Sequence, residues 1–341
     1  MRFPLSLTIS MASYMLRQKT GGIKKFPLVL MLEPLHACNL RCSGCGRIRE
    51  YAETMHRQLS VEDCLASVDE CGAPVVSICG GEPLIYNGLP ELVDKTLQKG
   101  KHIYLCTNGT LLEEKLGEFI DLARRNRRTK SRLYWNIHLD GTAAVHDAVT
   151  EKPGTFAKAL AGIAAVKKAG FYAYTNTTLY KTSNIADLTV LAEELRRIKI
   201  DGMMIAPGYG YDSVQKSDPF FLNRQEIYDI FKEIREKMKP YRITATPVYL
   251  DFLCGTRHLP CAAWANPTRN ISGWKSPCYL ITDKHYETYH EFLRQTDWTK
   301  IGFGSDPRCT DCMMHCGYEP AAVLFGNTFR DLLRTACWQL R

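Results

Sequence analysis

The stretch Pro27-Leu28-Val29-Leu30-Met31-Leu32-Glu33-Pro34-Leu35-His36-Ala37-Cys38-Asn39-Leu40-Arg41-Cys42-Ser43-Gly44-Cys45 joins a short apolar run to three closely spaced cysteines. A brief continuous apolar run closed by proline reads as a strand covered on both faces, the kind found in parallel sheets. In α/β folds the chemistry stands at the carboxyl ends of the strands, which is where these cysteines lie. The rhythm then repeats. Strands are expected at Phe26 to Glu33, Pro74 to Cys79, His102 to Thr107, Leu133 to Leu139, Phe171 to Leu179 and Gly202 to Ala206. Helical patterns separate them and open at recognisable caps, such as Ser60 with Asp63 three residues on, and Asn223 before Arg224 to Met238. Six such βα units fit a partial barrel or an open α/β sheet.

Three segments follow from this rhythm. Residues 1–25 carry a short helix, Leu7 to Leu16, placed to plug the base of the barrel or to touch a membrane with Arg17, Lys19, Lys24 and Lys25 at its flank. Residues 26–215 form the α/β body. Residues 216–341, where Pro, Trp, Gly and Cys accumulate, form a second domain stabilised by a cofactor.

Composition removes several classes. With 45% hydrophobic and 23% charged residues, the chain is neither disordered nor a repeat array. The net charge of +8, from 44 basic and 36 acidic residues, is modest for 341 residues. Its densest basic run, Arg124 to Lys130, lacks the interleaved aromatics of a nucleic-acid site and reads as a solvated helix end or loop. No secretory signal and no apolar stretch of membrane-spanning length stand out, so a reducing cytosol is expected, with peripheral contact at the inner membrane face. There 14 cysteines need a reason other than disulfides.

Cys38, Cys42 and Cys45 supply one. At this cysteine content a C-x3-C-x2-C triplet arises by chance with a probability of roughly 2%. Three thiolates are three of the four ligands that a 4Fe-4S cluster takes, which leaves one iron open to a substrate. A closed four-cysteine zinc site finds no fourth ligand nearby.

The spacing, on the loop after the first strand, resembles the radical S-adenosylmethionine superfamily, whose fold is a partial (β/α)6 TIM-like barrel. The later strand ends agree with it. Gly80-Gly81-Glu82-Pro83 resembles the turn that holds the amino group of the methionine moiety. Thr107 and Asn108, His138 and Asp140, Asn176, and Ala206 stand where family members contact methionine, ribose and adenine. The resemblance implies S-adenosylmethionine as co-substrate and its reductive cleavage to a 5'-deoxyadenosyl radical, with electrons from a low-potential donor such as flavodoxin or ferredoxin. Gly44 departs from the aromatic residue that many members carry before the third cysteine.

Longer strings, among them Asp69-Glu70-Cys71-Gly72-Ala73-Pro74-Val75-Val76-Ser77-Ile78, Asn266-Pro267-Thr268-Arg269-Asn270 and His315-Cys316-Gly317-Tyr318-Glu319-Pro320, are similar to the adenosylhopane synthase family of hopanoid biosynthesis. That resemblance implies addition of the radical to the terminal alkene of diploptene, a hopene-type triterpene, with Cys106 quenching the product radical. Hydrogen abstraction from a peptide or another substrate is the alternative. Cys64, Cys71, Cys79, Cys254 and Cys337 read as packing residues. In the C-terminal part, Cys261-x11-Gly273-x4-Cys278 followed by Cys309-x2-Cys312-x3-Cys316 is similar to auxiliary-cluster domains of some radical enzymes. Cys261, Cys278, Cys309 and Cys312 are the expected ligands and Cys316 the substitute, for a second 4Fe-4S cluster, for zinc, or for no metal at all.

Overall fold

The computed structural model describes residues 2–210, 220–325 and 328–340. The boundary expected between residues 215 and 216 lies outside the described residues. Among them, nine strands form one sheet in the order β6-β5-β4-β3-β2-β1-β7-β8-β9. Six are parallel and sequential: β1 (Val29–Leu32), β2 (Val75–Ile78), β3 (His102–Thr107), β4 (Leu133–His138), β5 (Tyr172–Leu179) and β6 (Gly202–Pro207). The helices Val61–Cys71, Leu89–Gln98, Leu112–Arg125, Thr155–Lys168 and Ile185–Arg197 connect them. This is the α/β partial barrel expected from the sequence: β1, β2, β4 and β5 are shorter than their apolar runs, β3 spans the expected residues and β6 extends through Pro207.

Local chemistry sets the helix ends. Ser60 accepts a hydrogen bond from Asp63 N at 3.0 Å, and Asn223 forms a reciprocal capping box with Glu226 ahead of the helix Arg224–Lys237. The basic run Arg124 to Lys130 falls across the end of one helix and the start of the next, Arg128–Arg132.

A barrel left open would carry two unpaired edges, and both are covered. Along β1, the backbone N–H groups of Leu28, Met31 and Glu33 donate to Ala265, Pro267 and Arg269, which brings in β7 (Thr268–Asn270) as a parallel neighbour. β8 (Gly273–Pro277) and β9 (Thr282–Tyr286) continue antiparallel. On the other side Met203 in β6 pairs with residues 242–244. The cysteine-rich C-terminal part is therefore an extension of the barrel's own sheet.

Strand parity decides what the lumen contains. Ile103, Leu105, Trp135 and Ile137 pack outward against helices, whereas the alternate residues turn inward. At the amino-terminal end Tyr104, Tyr134, Tyr172 and Tyr174 interlock with ring centroids 5.1 to 6.3 Å apart. The helix Leu5–Thr20 presses Leu7 and Met11 onto these rings. The lumen thus has an aromatic floor and opens toward the carboxyl ends of the strands.

On the C-terminal side, Glu319 in the helix His315–Leu324 accepts a hydrogen bond at 3.0 Å from Thr246 N, at the start of the helix Pro247–Leu253. Burial outweighs that bond and pushes its carboxyl from 4.5 to about 7. The unfolded chain releases this proton near 4.5, so stability falls as pH rises from there to about 7. Glu319→Gln keeps an acceptor and removes the penalty. Thermal melts should show the variant more stable than the parent at pH 8, with the advantage gone at pH 4; an advantage independent of pH would contradict this.

Candidate active site

The loop after β1 is held by backbone contacts to the end of β2. Gly81 N donates to Leu35 O at 3.2 Å and Glu82 N to Ala37 O at 2.9 Å. The approach requires glycine: a Cβ on Gly81 would lie 1.8 Å from Ala37 O, and one on Gly80, at φ +112°, 2.4 Å from Leu35 O. Leu40 N donates to Cys38 Sγ at 3.4 Å, and Cys45 N to Cys42 O at 3.1 Å. Burial pushes the Cys38 thiol up to about 11 and Cys42 further; both feel Cys45, and Cys42 also feels Cys38. All three are half-buried around one mouth.

Their spacing bears on what they could hold. Ligands on one zinc ion, each about 2.3 Å from it, would sit roughly 4 Å from one another. Among the described residues the three potential ligand atoms found within 4.8 Å are those of His138, Asp140 and His146, and no three thiols approach that closely. A 4Fe-4S cluster takes each thiolate on its own iron and so accepts thiols more widely spaced than a single zinc ion does. The His–Asp–His group has an internal explanation. His138 Nε2 and Asp140 Oδ2 are 2.6 Å apart, and His146 Nδ1 accepts from Asp140 N.

Around this mouth the other expected residues divide by what they touch. The Glu82 carboxylate is buried and accepts from Leu84 N, Thr107 Oγ1 and Asn108 N at 2.7 to 2.9 Å. It fastens the ends of β2 and β3 together. The Asn108 side chain donates to Asn39 Oδ1 at 2.7 Å and so braces the cysteine loop. Burial pulls His138 down, but the adjacent Asp140 carboxylate outweighs it and raises the imidazole's affinity for a proton. Asn176 pairs in register with His138, and its Oδ1 is buried without a partner, as is Oδ1 of Asn136. Ala206 stands opposite Thr178 in the register of β5 and β6. Orphaned polar atoms in a lumen beside an open thiol triad fit a polar ligand such as S-adenosylmethionine.

Cys106 faces this lumen above the tyrosine floor. Its Sγ lies 3.4 Å from Ser77 Oγ and 3.6 Å from Asn136 Nδ2. Burial raises its pKa, with the two hydrogen bonds opposing, so the sulfur keeps its hydrogen at neutral pH. Ser77 and Asn136 were not picked out from the sequence, although counting by twos from Cys79 and His138 reaches both. Cys79 lies against Cys106 and the Tyr279 hydroxyl. Cys64, Cys71, Cys79 and Cys254 are buried, but Cys337 corrects the packing expectation, since it is exposed on the terminal helix.

Gly44 leaves room that Tyr180 fills. A Cβ there would meet Tyr180 Oη at 2.5 Å, and the Tyr180 ring stacks on Phe220 with centroids 4.1 Å apart. The aromatic cover missing before the third cysteine is thus supplied from the end of β5.

The five C-terminal thiols converge as well. Cys261, Cys278, Cys309, Cys312 and Cys316 lie in one another's electrostatic field, and burial drives all of them up, Cys261 to about 12 and Cys309 to about 11. Gly317 is required here, since a Cβ would lie 2.6 Å from Cys261 Sγ. Five clustered thiols that are costly to ionise suit a metal that replaces their protons. The structure brings Cys316 into the group on equal terms with the other four. A buried pair links the two sites. Arg47, just after the first triad, pairs with Glu33, stacks 3.9 Å from the Tyr279 ring and donates to its hydroxyl at 3.1 Å. Isolated charges read as surface in a sequence, so neither residue drew notice.

Residues 32–195 match the model of the radical SAM superfamily, and residues 203–336 that of a domain of unknown function, DUF3463. Among curated proteins the chain is 29% identical over 236 residues to an AdoMet-dependent heme synthase of Methanosarcina barkeri, covering 67% of this chain and 64% of that protein. It is 24% identical over 303 residues to the PqqA peptide cyclase of Granulibacter bethesdensis, covering 84% and 78%. The chain spans less than two thirds of the heme synthase's length. Among solved structures it resembles Streptococcus suis SuiB bound to its precursor peptide SuiA, with a TM-score of 0.62 at 13% identity over 87% of this chain and 73% of that one. This last likeness concerns the fold.

The Tyr180 contact yields a test. Gly44→Phe should overpack the site and cost about 1–3 kcal/mol, read as a lower melting temperature and less iron retained on reconstitution. Adding Tyr180→Ala should recover most of the loss; a double-mutant cycle with no coupling would contradict the contact.

Proposed function

We propose, from the match of residues 32–195 to the radical SAM superfamily model, that the chain generates a 5'-deoxyadenosyl radical at Cys38, Cys42 and Cys45 and that Cys106 delivers a hydrogen atom to the product radical. Cys38, Cys42 and Cys45 would hold a 4Fe-4S cluster, and with S-adenosylmethionine bound and one electron from a flavodoxin- or ferredoxin-type donor it would supply the reductive cleavage to methionine and that radical. The observation that carries the reading is the Cys106 sulfur, held by Ser77 and Asn136 in the lumen. His138, Asp140 and Asn176 line the same mouth and supply polar contacts for the co-substrate. The tyrosine floor closes the opposite end and keeps competing hydrogen donors out. When Cys106 gives up its hydrogen atom, the carbon radical becomes a C–H bond and the sulfur a thiyl, which needs one electron and one proton to be restored. A second cluster on the C-terminal thiols would stand on that electron's route, behind Tyr279 and Arg47.

Two acceptors fit this scheme. Addition to the terminal alkene of diploptene is supported by the strings shared with adenosylhopane synthases across residues 26–320, and by the need of an addition product for a hydrogen atom. Hydrogen abstraction from a peptide or another substrate is favoured by the relatives, which include a peptide cyclase and heme synthases. The fate of the adenosyl group separates them. Anaerobic turnover with diploptene should give a product heavier by the 5'-deoxyadenosyl group and one hydrogen, whereas abstraction releases 5'-deoxyadenosine in proportion to product. In either case Cys106→Ala should cleave S-adenosylmethionine while losing the reduced product by at least 10-fold. Undiminished product from that variant would reject the thiol's role, and undiminished product from Cys309→Ala/Cys312→Ala would reject the relay.

A further inference from the structure

We infer that the terminal helices together form a docking face for an anionic lipid surface. The helix Phe329–Leu340 is amphipathic the wrong way round for a free surface. Its inward side carries Asp331, buried and paired with Arg257 at 2.9 Å, and Gln339, which exchanges hydrogen bonds with Phe3 and Thr8 of the N-terminal segment. Its outward side carries Phe329, Leu332, Leu333 and Leu340, between 51% and 77% exposed. The neighbouring helix Leu5–Thr20 is apolar on both sides. Leu7 and Tyr14 are buried against the barrel, while Leu5, Ile9 and Leu16 are exposed, spaced by about one and about two turns and so on one face. Large apolar side chains gathered on adjoining helices mark an interaction surface.

Charge selects the occupant. Residues 1–25 contain Arg2, Arg17, Lys19, Lys24 and Lys25 and not one Asp or Glu, so they hold more than half of the chain's net charge of +8. Arg17, Lys19, Lys24, Lys25 and, on the terminal helix, Arg330 are exposed beside the apolar stripes. A second copy would bring like charges together, whereas an apolar stripe with a cationic margin matches an anionic bilayer interface. Among the described residues no helix is long and apolar enough to cross a membrane, so this face would lie in the interface. It sits at the amino-terminal end of the barrel strands, under the tyrosine floor and away from the thiol mouth. The inference therefore does not rest on the class of substrate.

The test is flotation of the full chain with vesicles of phosphatidylglycerol and phosphatidylcholine, against phosphatidylcholine alone. At least 10-fold more protein should float with the anionic vesicles, and raised salt should weaken binding. Leu332→Glu/Leu333→Glu should abolish it without changing the circular dichroism spectrum, and Lys24→Glu/Lys25→Glu, which alters two exposed side chains, should weaken it at least 10-fold. No difference between the two vesicle types, binding unaltered in both variants, or a dimer in solution that Leu332→Glu/Leu333→Glu dissociates would overturn the assignment.

Discussion

The Glu82 carboxylate is the contact on which the site depends. Buried and shared among Leu84 N, Thr107 Oγ1 and Asn108 N, it welds the end of β2 to the end of β3, while its own backbone N–H holds the cysteine loop through Ala37 O. Glycines at 80 and 81 bring the two chains close enough for this. Asn108 reaches from the same weld to Asn39 between the first two cysteines. Three strand ends and the thiol triad thereby move as one unit, and Cys106 is placed one residue before the weld.

The C-terminal part is bound into this unit along two routes. β7 extends the sheet from β1, and Arg47 joins Glu33 at the end of β1 to Tyr279 beside the second thiol group. A buried ion pair is a poor source of stability but a strong positional constraint, because removing either partner strands a charge. Its place between the two thiol groups gives the second one a fixed distance from the lumen.

What was legible in the sequence had local causes. Strands and caps depend on neighbours within a few residues, and Ser60 and Asn223 stand as read. What was hidden depends on distant partners. The addition of β7 to β9 to the barrel's sheet, the Tyr180 ring against Gly44, and the pairing of Arg47 with Glu33 join segments from about a dozen to more than 200 residues apart or leave no periodic trace. Three of the protein's own donors reach the Glu82 carboxylate, which only the fold could reveal. Cys337 was placed by composition with the packed thiols and lies on an outward face instead.

The most direct measurement needs no substrate. The protein is reconstituted anaerobically with iron and sulfide, given S-adenosylmethionine and a strong reductant, and assayed for methionine and 5'-deoxyadenosine. The account predicts cleavage that is lost in Cys42→Ala and retained in Cys309→Ala/Cys312→Ala. Absence of cleavage in the parent protein, or its persistence in Cys42→Ala, would contradict it.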